Sequence, residues 1–214
     1  MTTLIFVRHG QSESNLSKVF TGQGNTALTE LGRAQAERTA KYLEQYPITY
    51  IYASDLDRAM DTAAPTAAFH RLKIQPNSKF REIYAGEWEN KPYEELLRSY
   101  PDSYRVWLED TGKAHPEKGE SVKELYERVN AEVERLVALH RGECIAVFSH
   151  ATPARALGGK WFGIASENLI EVPWATNASV SVAEYGDDGS IRVICYGYDA
   201  HQGDAATALP KGLA

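Results

Sequence analysis

Short, continuous apolar runs alternate along the chain with longer segments in which apolar residues recur every three or four positions. Continuous runs of this length are typical of strands buried on both faces, and the longer segments are typical of amphipathic helices. The alternation predicts βαβ units in a largely parallel sheet. The predicted strands cover residues 4–7, 48–54, 73–77 and 144–149, and the predicted helices cover residues 29–46, 55–70, 119–140 and 152–163.

Polar residues suited to capping stand at the start of three of these helices. The side chain of Thr29 can accept a backbone hydrogen bond from the first turn of its helix, and Ser54 or Asp55 can do the same for the next helix. Ser121 is followed three positions later by Glu124, which predicts a capping box.

The alternation is interrupted between residues 76 and 116, where aromatic, charged and proline residues replace it. We expect an insertion of loops and short helices, about residues 77–118, that caps the sheet within a single domain of residues 1–214. Residues 178–185 and 191–198 predict two strands joined by a turn with Asp-Gly. The tail after Asp199 carries weak structural signals and is expected to be loose. The predicted fold is an α/β three-layer αβα sandwich with a mostly parallel central sheet.

Composition and charge narrow the class of protein. The formal net charge of -6 and the pI of about 5.6 argue against a general nucleic-acid binder, so an anionic ligand needs a local cluster of positive groups. The sequence shows no signal-type segment and no apolar run of membrane-spanning length, which predicts a cytoplasmic protein that binds no membrane. Cys144 and Cys195 lie in apolar runs and are expected to be buried, and a disulfide between them stays open.

Polar side chains follow three of the predicted strands at the point where each strand ends. In open α/β sheets the carboxyl ends of the strands form the ligand-binding edge, so these side chains meet there if the strands are neighbours. Taken singly, an arginine in a helix is usually solvated and a histidine after a strand is usually structural. Their joint placement favours a function. They are Arg8 and His9, Ser54 and Arg58, and Ser149 and His150.

Two arginines and two histidines at one edge indicate phosphoryl transfer. The planar arginine fork binds phosphate oxygens in pairs and stays protonated. A neutral, oriented histidine can attack phosphorus and form a covalent phosphohistidine. Arginines would oppose a bound cation and no carboxylate-rich cluster accompanies them, so we expect no metal and no other cofactor.

Five motifs, in order along the chain, resemble those of the histidine phosphatase superfamily, in the branch that contains the phosphoglycerate mutases and related phosphatases. The Arg-His-Gly triplet of the first motif is weak evidence alone, whereas the ordered set, spread from residue 3 to about residue 160, is specific. The motifs are VRHGQSESN (7–15), TGQGNTALTELGRAQA (21–36), YASDLDRAMDTA (52–63), REIYAGEWEN (81–90) and VFSHATPAR (147–155).

The resemblance implies a role for each matching residue. His9 would be the nucleophile, and Glu82 the proton donor to the leaving alcohol and then the base that activates water. Glu87 and Glu89 are rivals to Glu82 on chemistry alone. The family's phosphate-binding positions match Arg8, Asn15, Gln23, Arg58, His150 and, through its backbone amide, Ala151.

Three residues beside these positions qualify the match. Gln11 stands where many members of the family carry glutamate, and Ala151 stands where glycine is commoner, so that its Cβ narrows the expected pocket. Gly10 is expected to let the backbone pass close to the phosphate because it has no side chain.

The resemblance leaves three functions to weigh. We expect a phosphatase that hydrolyses a small phosphomonoester, with a small phosphorylated metabolite as the implied partner. A cofactor-dependent phosphoglycerate mutase is the alternative, but such mutases carry a longer, proline-rich and basic middle, whereas the middle here is short, aromatic and acidic. A non-catalytic phosphate binder is the third, and it would have no use for Glu82.

The identity of the substrate and the oligomeric state, including a homodimer, stay open. The insertion supplies aromatic residues for the leaving-group side of the cleft, and one or two of them are expected to touch the substrate. The four that we consider are Tyr84, Trp88, Tyr93 and Trp107.

Overall fold

The computed structural model describes residues 1–208, and in them strands and helices alternate as predicted. The strands are Thr2–Arg8 (β1), Val19–Phe20 (β2), Tyr50–Ala53 (β3), Ile74–Pro76 (β4), Lys91–Pro92 (β5), Cys144–Ser149 (β6), Val180–Tyr185 (β7) and Ile191–Tyr198 (β8). The helices are Glu13–Ser17 (α1), Glu30–Leu43 (α2), Asp57–His70 (α3), Tyr93–Ser99 (α4), Pro101–Glu109 (α5), Val122–Leu139 (α6) and Ala151–Phe162 (α7).

Six of the strands form one sheet in the order β4-β3-β6-β1-β7-β8. Strands β1, β3, β4 and β6 are parallel, whereas β7 is antiparallel to β1 and β8 is antiparallel to β7. The register pairs Arg8 with Ser149 and Ala53 with Phe148, so β1, β6 and β3 end at the same edge. The predicted α/β fold with a mostly parallel sheet is confirmed, as is the hairpin at its end.

Side chains alternate across β1 into two separate cores. Leu4 and Phe6 pack with residues of α6 and α7, whereas Ile5 and Val7 pack with residues of α2 and α3. None of the four is more than 1% exposed, and burial of each stabilises the fold by about 1.5–3 kcal/mol. The sheet is therefore the middle of three layers.

Two of the three predicted caps are present. The Thr29 hydroxyl accepts the N–H of the first turn of α2, and Ser121 forms the predicted capping box at the start of α6. The third prediction is wrong, because α3 begins after Leu56 and neither Ser54 nor Asp55 caps it. The Ser54 hydroxyl is hydrogen-bonded to a histidine and to the N–H of Leu56, the residue before the helix, and the Asp55 carboxylate pairs with an arginine.

The segment between β4 and α6 folds around an aromatic core. Rings of Phe20 and Trp107 lie 5.0 Å apart, and those of Trp88 and Tyr104 lie 5.4 Å apart, both edge to face. Leu125 on α6 belongs to the same core, so the segment packs onto a helix of the sheet layers. The boundaries of a cap at about residues 77–118, within a single domain, stay a prediction.

The chain after Asp199 is packed where the sequence predicts it to be loose. Residues Ala200–Ala205 form 3₁₀ turns against α2, and Gln202 is fully buried. Its side-chain amide donates to the carbonyl oxygen of Gln35 and to the hydroxyl of Thr39, at 3.2 and 2.9 Å. The prediction of a loose tail is therefore wrong for residues 200–205, because specific polar contacts replace the apolar pattern that sequence reading looks for. Residues 209–214 lie outside the described part of the chain.

The two cysteines are free thiols. Cys144 is buried as predicted, whereas Cys195 is only partly buried because β8 is the last strand of the sheet. Among the described residues, no helix combines the length and the apolar character needed to cross a membrane.

The buried amide of Gln202 generates a stability prediction. In Gln202→Ala the carbonyl oxygens of Gln35 and Ala178 each lose a donor inside the protein, and we expect the free energy of unfolding to fall by about 1–3 kcal/mol. Urea titration measures it. Gln45→Ala is the matched control, because the amide of Gln45 donates to a carbonyl at the exposed surface. Equal stability of the two variants would contradict the packed tail.

Candidate active site

The carboxyl ends of β1, β3 and β6 bring the predicted polar residues together. The backbone N–H of His9 donates to the carbonyl oxygen of Ser149, and that of Ser54 donates to the carbonyl oxygen of Phe148. These bonds extend the hydrogen-bond ladders of the sheet by one residue. The sheet therefore fixes the backbone positions of His9 and Ser54. His150 follows β6 directly, and its ring centroid lies 5.2 Å from that of His9.

The imidazole of His9 is oriented by its own backbone neighbour. Its Nδ1 lies 2.7 Å from the carbonyl oxygen of Gly10. A carbonyl oxygen only accepts, so Nδ1 carries the proton and the lone pair of Nε2 is free. Burial, and then the charges of Arg58 and Arg8, hold the pKa of His9 well below its usual value. His9 lines the cavity as a neutral ring with an unprotonated nitrogen.

His150 lies behind His9 and is fully buried. Its Nε2 is 2.7 Å from the Ser54 hydroxyl, and its Nδ1 has no hydrogen-bond partner among the described residues. Burial and the charge of Arg58 hold its pKa well below the usual value. The structure brings His150 to the site, but it is not among the residues that line the cavity.

Two guanidinium groups lie in the cavity wall, and neither is ion-paired with a carboxylate of residues 1–208. Arg8 donates to the carbonyl oxygen of Ala175 at 2.5 Å, and Arg58 donates to those of Gly22 and Gly24, both at 2.8 Å. Burial lowers the pKa of Arg8, and it lowers the pKa of Arg58 to about 10. Guanidinium groups stay protonated in proteins at neutral pH. The site therefore holds two positive charges that are hydrogen-bonded to carbonyl oxygens and that feel the charge of Glu82 without pairing with it, which suits a dianion such as phosphate.

Glu82 is the carboxylate of this cavity. One oxygen accepts the N–H of Ile83 at 2.9 Å, and the other accepts those of Ala151 and Thr152, the first residues of α7, at 3.2 and 3.3 Å. The helix N-terminus thus holds the carboxylate at the edge of the cavity. Ala151 lines the cavity as predicted, but its amide is directed at Glu82.

The two rival carboxylates lie elsewhere. Glu89 accepts three backbone N–H groups at 2.8 to 3.0 Å and holds the loops on which the site is built. Glu87 is paired with Lys118 on the surface. Neither lines the cavity, so the geometry favours Glu82.

Of the two predicted polar amides, only one faces the cavity. Asn15 lines it, and its Oδ1 accepts the N–H of Ser12 at 3.1 Å, which leaves the NH₂ group on the cavity side. Gln23 does not line it: its amide donates to the carbonyl oxygen of Glu82 and accepts from Arg81. Gln23 therefore supports the Glu82 loop from behind.

Gly10 is required by the close approach of the chain after β1 to the first turn of α2. A Cβ on Gly10 would lie 2.5 Å from the carbonyl oxygen of Gly32, and one on Gly32 would overlap the carbonyl oxygen of Gln11. The two glycines let the end of β1 touch the first turn of α2. The expectation that Gly10 makes room for phosphate is not what the packing requires.

Aromatic rings form part of the cavity wall. Tyr93 and Trp107 are there, which makes two of the four aromatic residues considered from the sequence, whereas Trp88 is fully buried beneath them and Tyr84 lies outside. The cavity also has walls that sequence reasoning misses. These are Phe20, Tyr104, Trp174, Asn177 and Thr207.

The acidic and metal-ligating side chains are spread out over the described residues. Nowhere in residues 1–208 do three or more histidine, cysteine, aspartate or glutamate side chains come together as a group that could hold a metal ion. Within the same residues, the charged groups that line the cavity are Arg8, Arg58 and Glu82.

Known proteins share this sequence pattern. Phosphoserine phosphatase 1 of Hydrogenobacter thermophilus is 33% identical over 157 residues, which make up 73% of this chain and 74% of that protein. Phosphoglycerate mutase-like protein 4 of Arabidopsis thaliana is 31% identical over 195 residues, which make up 89% of this chain and 83% of that protein.

Known structures share the fold. The structure of YhfR from Bacillus stearothermophilus superposes with a TM-score of 0.89 at 27% identity, over 94% of this chain and 99% of that one. The family model for the histidine phosphatase superfamily (branch 1) matches residues 4–196, from β1 into β8. The predicted resemblance is thereby confirmed, and the chain belongs to branch 1 of the histidine phosphatase superfamily.

Proposed function

We propose that the protein is a phosphatase that hydrolyses a small phosphomonoester through a covalent phosphohistidine on His9. The observation that carries the proposal is the unprotonated Nε2 of His9 beside two guanidinium groups that form no ion pair within the described part of the chain. A dianionic phosphoryl group neutralises those charges and stands within reach of the nucleophile.

The reaction has two steps. In the first, Nε2 of His9 bonds to phosphorus, the bond to the alcohol oxygen breaks, and Glu82, entering protonated, gives its proton to that oxygen. In the second, Glu82 takes a proton from water, the resulting hydroxide bonds to phosphorus, and the bond from phosphorus to Nε2 breaks. Arg8 and Arg58 stabilise the oxygens of the phosphoryl group in both transition states.

The remaining predicted residues have supporting roles in this proposal. Asn15 donates to the phosphoryl group, and His150 packs behind His9, where its ring lies 5.2 Å from that of the nucleophile. Ala151 and Gln23 hold Glu82, through its side chain and its backbone respectively. As written, the reaction uses no metal or other cofactor. The free thiols fit a reducing, cytoplasmic location.

The charges of the cavity favour a phosphatase over a phosphoglycerate mutase. A phosphoglycerate carries a carboxylate in addition to its phosphate, and burying it without a partner is costly. Among the described residues that line the cavity, the cations are Arg8 and Arg58, and the proposed mechanism uses both for the phosphate. A non-catalytic binder would leave the placement of Glu82 without a purpose.

The aromatic wall indicates the kind of alcohol that leaves. Trp174 is next to Ala175, whose carbonyl oxygen holds Arg8, and the Arg155 guanidinium carbon lies 4.2 Å from the centroid of the Trp174 ring. The rings of Trp107 and Trp174 lie 6.1 Å apart. A fixed aromatic wall beside the phosphate site favours an uncharged alcohol that carries a ring.

The covalent step can be tested with His9→Ala. We expect turnover of 4-nitrophenyl phosphate to fall by roughly 10³-fold or more, because the nucleophile is lost. Rapid quenching into alkali after mixing with ³²P-labelled substrate should show labelled wild-type protein and unlabelled His9→Ala. His115→Ala, at an exposed histidine, is the control and should keep both signals. Label retained by His9→Ala would exclude the proposal.

The role of Glu82 can be tested through the leaving group. In Glu82→Gln we expect kcat/KM for benzyl phosphate to fall by roughly 10²–10⁴-fold, because benzyl alcohol needs a proton to leave. The value for 4-nitrophenyl phosphate should fall far less, since nitrophenolate leaves without one. Glu87→Gln is the control, and it should leave kcat/KM unchanged for both substrates. Equal losses for the two substrates would show that Glu82 is not the acid.

The substrate class can be tested with two esters of primary alcohols. We expect kcat/KM for benzyl phosphate to exceed that for phosphoglycolate by roughly tenfold or more, since the ring gains the aromatic wall and the carboxylate finds no cation. Trp174→Leu should reduce the preference, and Phe69→Leu, at an exposed ring, should not. Phosphoglycolate turned over as well as benzyl phosphate would exclude the preference. Formation of 2-phosphoglycerate from 3-phosphoglycerate and bisphosphoglycerate would establish the mutase instead.

A further inference from the structure

Asn177 contacts both His9, which directly follows β1, and Asn15, which lies in α1. It stands before β7, is 7% exposed and lines the cavity. Its Nδ2 lies 3.2 Å from the carbonyl oxygen of His9 and 3.2 Å from Oδ1 of Asn15. Its Oδ1 accepts the hydroxyl of Thr207 at 3.2 Å. One side chain thus makes three polar contacts to three separate parts of the chain.

The direction of each of these bonds is fixed by its ends. The carbonyl oxygen of His9 only accepts, so the atom of Asn177 that faces it is the nitrogen. The N–H of Ser12 only donates, so the atom of Asn15 that faces it is the oxygen. Asn177 and Ser12 together therefore place two donors against Oδ1 of Asn15. The NH₂ group of Asn15 is then left to face the cavity.

We propose that Asn177 is a positioning residue that fixes the amide of Asn15, so that Asn15 presents its NH₂ group to the phosphoryl group of the substrate. The inference rests on the proposed phosphatase function. With the amide of Asn15 turned by 180°, its oxygen would face the phosphate and be repelled. Its NH₂ group would face the donors of Ser12 and Asn177. Thr207 orients Asn177 in turn, which links the segment after β8 to phosphate binding.

The backbone around Asn177 is held without this side chain. The N–H of Ala178 already donates to the carbonyl oxygen of His9 at 3.1 Å, and β7 pairs with β1 from Val180 onward. The contact from Asn177 to Asn15 is therefore not needed to attach β7 to the sheet. What the contact adds is the orientation of an amide at the cavity.

A double-mutant cycle tests the inference. Asn177→Leu has a side chain of similar size and no polar atom. In the wild-type background we expect kcat/KM for benzyl phosphate to fall by roughly 10- to 100-fold, as for the loss of a hydrogen bond to a charged group. In the Asn15→Ala background the same substitution should change kcat/KM by less than about twofold, because its route of action is gone. The inhibition constant of inorganic phosphate should follow the same pattern.

The matched control is Asn130→Leu. Asn130 is 6% exposed and its amide donates to the carbonyl oxygens of Tyr126 and Ala156, away from the cavity. It should lower the melting temperature and leave kcat/KM unchanged. Thr207→Val should weaken phosphate binding in the wild-type background. Combined with Asn177→Leu in one protein, it should have no further effect on phosphate binding.

The outcomes separate this inference from the proposed function. A full effect of Asn177→Leu in the Asn15→Ala background overturns the inference and leaves the phosphatase in place, and so does an absence of effect in the wild-type background. If the Leu variant does not fold, Asn177→Ala takes its place in the same cycle. If the wild-type protein turns over no phosphomonoester, the proposed function fails. The cycle is then measured by calorimetry with inorganic phosphate, and an effect that disappears in Asn15→Ala still supports the positioning role.

Discussion

The burial of two guanidinium groups without a carboxylate partner is the constraint around which the site is arranged. Removing a charged group from water costs several kcal/mol even after the protein relaxes, and carbonyl oxygens stabilise Arg8 and Arg58 only in part. A carboxylate partner would lower that cost but would occupy the place of the phosphate. The same two charges help to keep His9 neutral. The positive charge of the cavity and the neutral ring of His9 therefore have one physical cause.

That constraint explains features that have no part in the chemistry. Arg58 needs the carbonyl oxygens of Gly22 and Gly24, so the loop that contains them has to be held in place. Glu89 holds it from the other side by accepting the N–H of Gly24. Gly22 has a φ of +52°, and a Cβ there would overlap the carboxylate of Glu89. Two of the sequence motifs thus act together: the motif that contains Glu89 holds the motif that contains Gly22, whose carbonyl oxygens bind Arg58.

Residues of the site that follow parallel strands can be predicted from the sequence. Residues contributed by the antiparallel strand cannot. Arg8, His9 and His150 could be found because parallel strands end at a common edge. Asn177 could not, because β7 is antiparallel to β1 and brings its amino end to that edge. The sequence around Ser54 is typical of a helix cap. Its partner His150 follows the neighbouring strand β6, and that contact can be seen only in the fold. The sequence around Trp88 and Trp107 does not show that Trp88 is buried in the core whereas Trp107 lines the cavity.

The residues that contact one another in the site are far apart in the sequence. His9 and Asn177 are separated by 168 residues, and their bond requires β7 to have paired with β1. Contacts of such separation are costly in loop entropy and form after local structure. The packed segment after β8 adds Thr207 still later in the chain. The contacts of Asn177 therefore bring the last elements of the chain to Asn15, which follows the first strand.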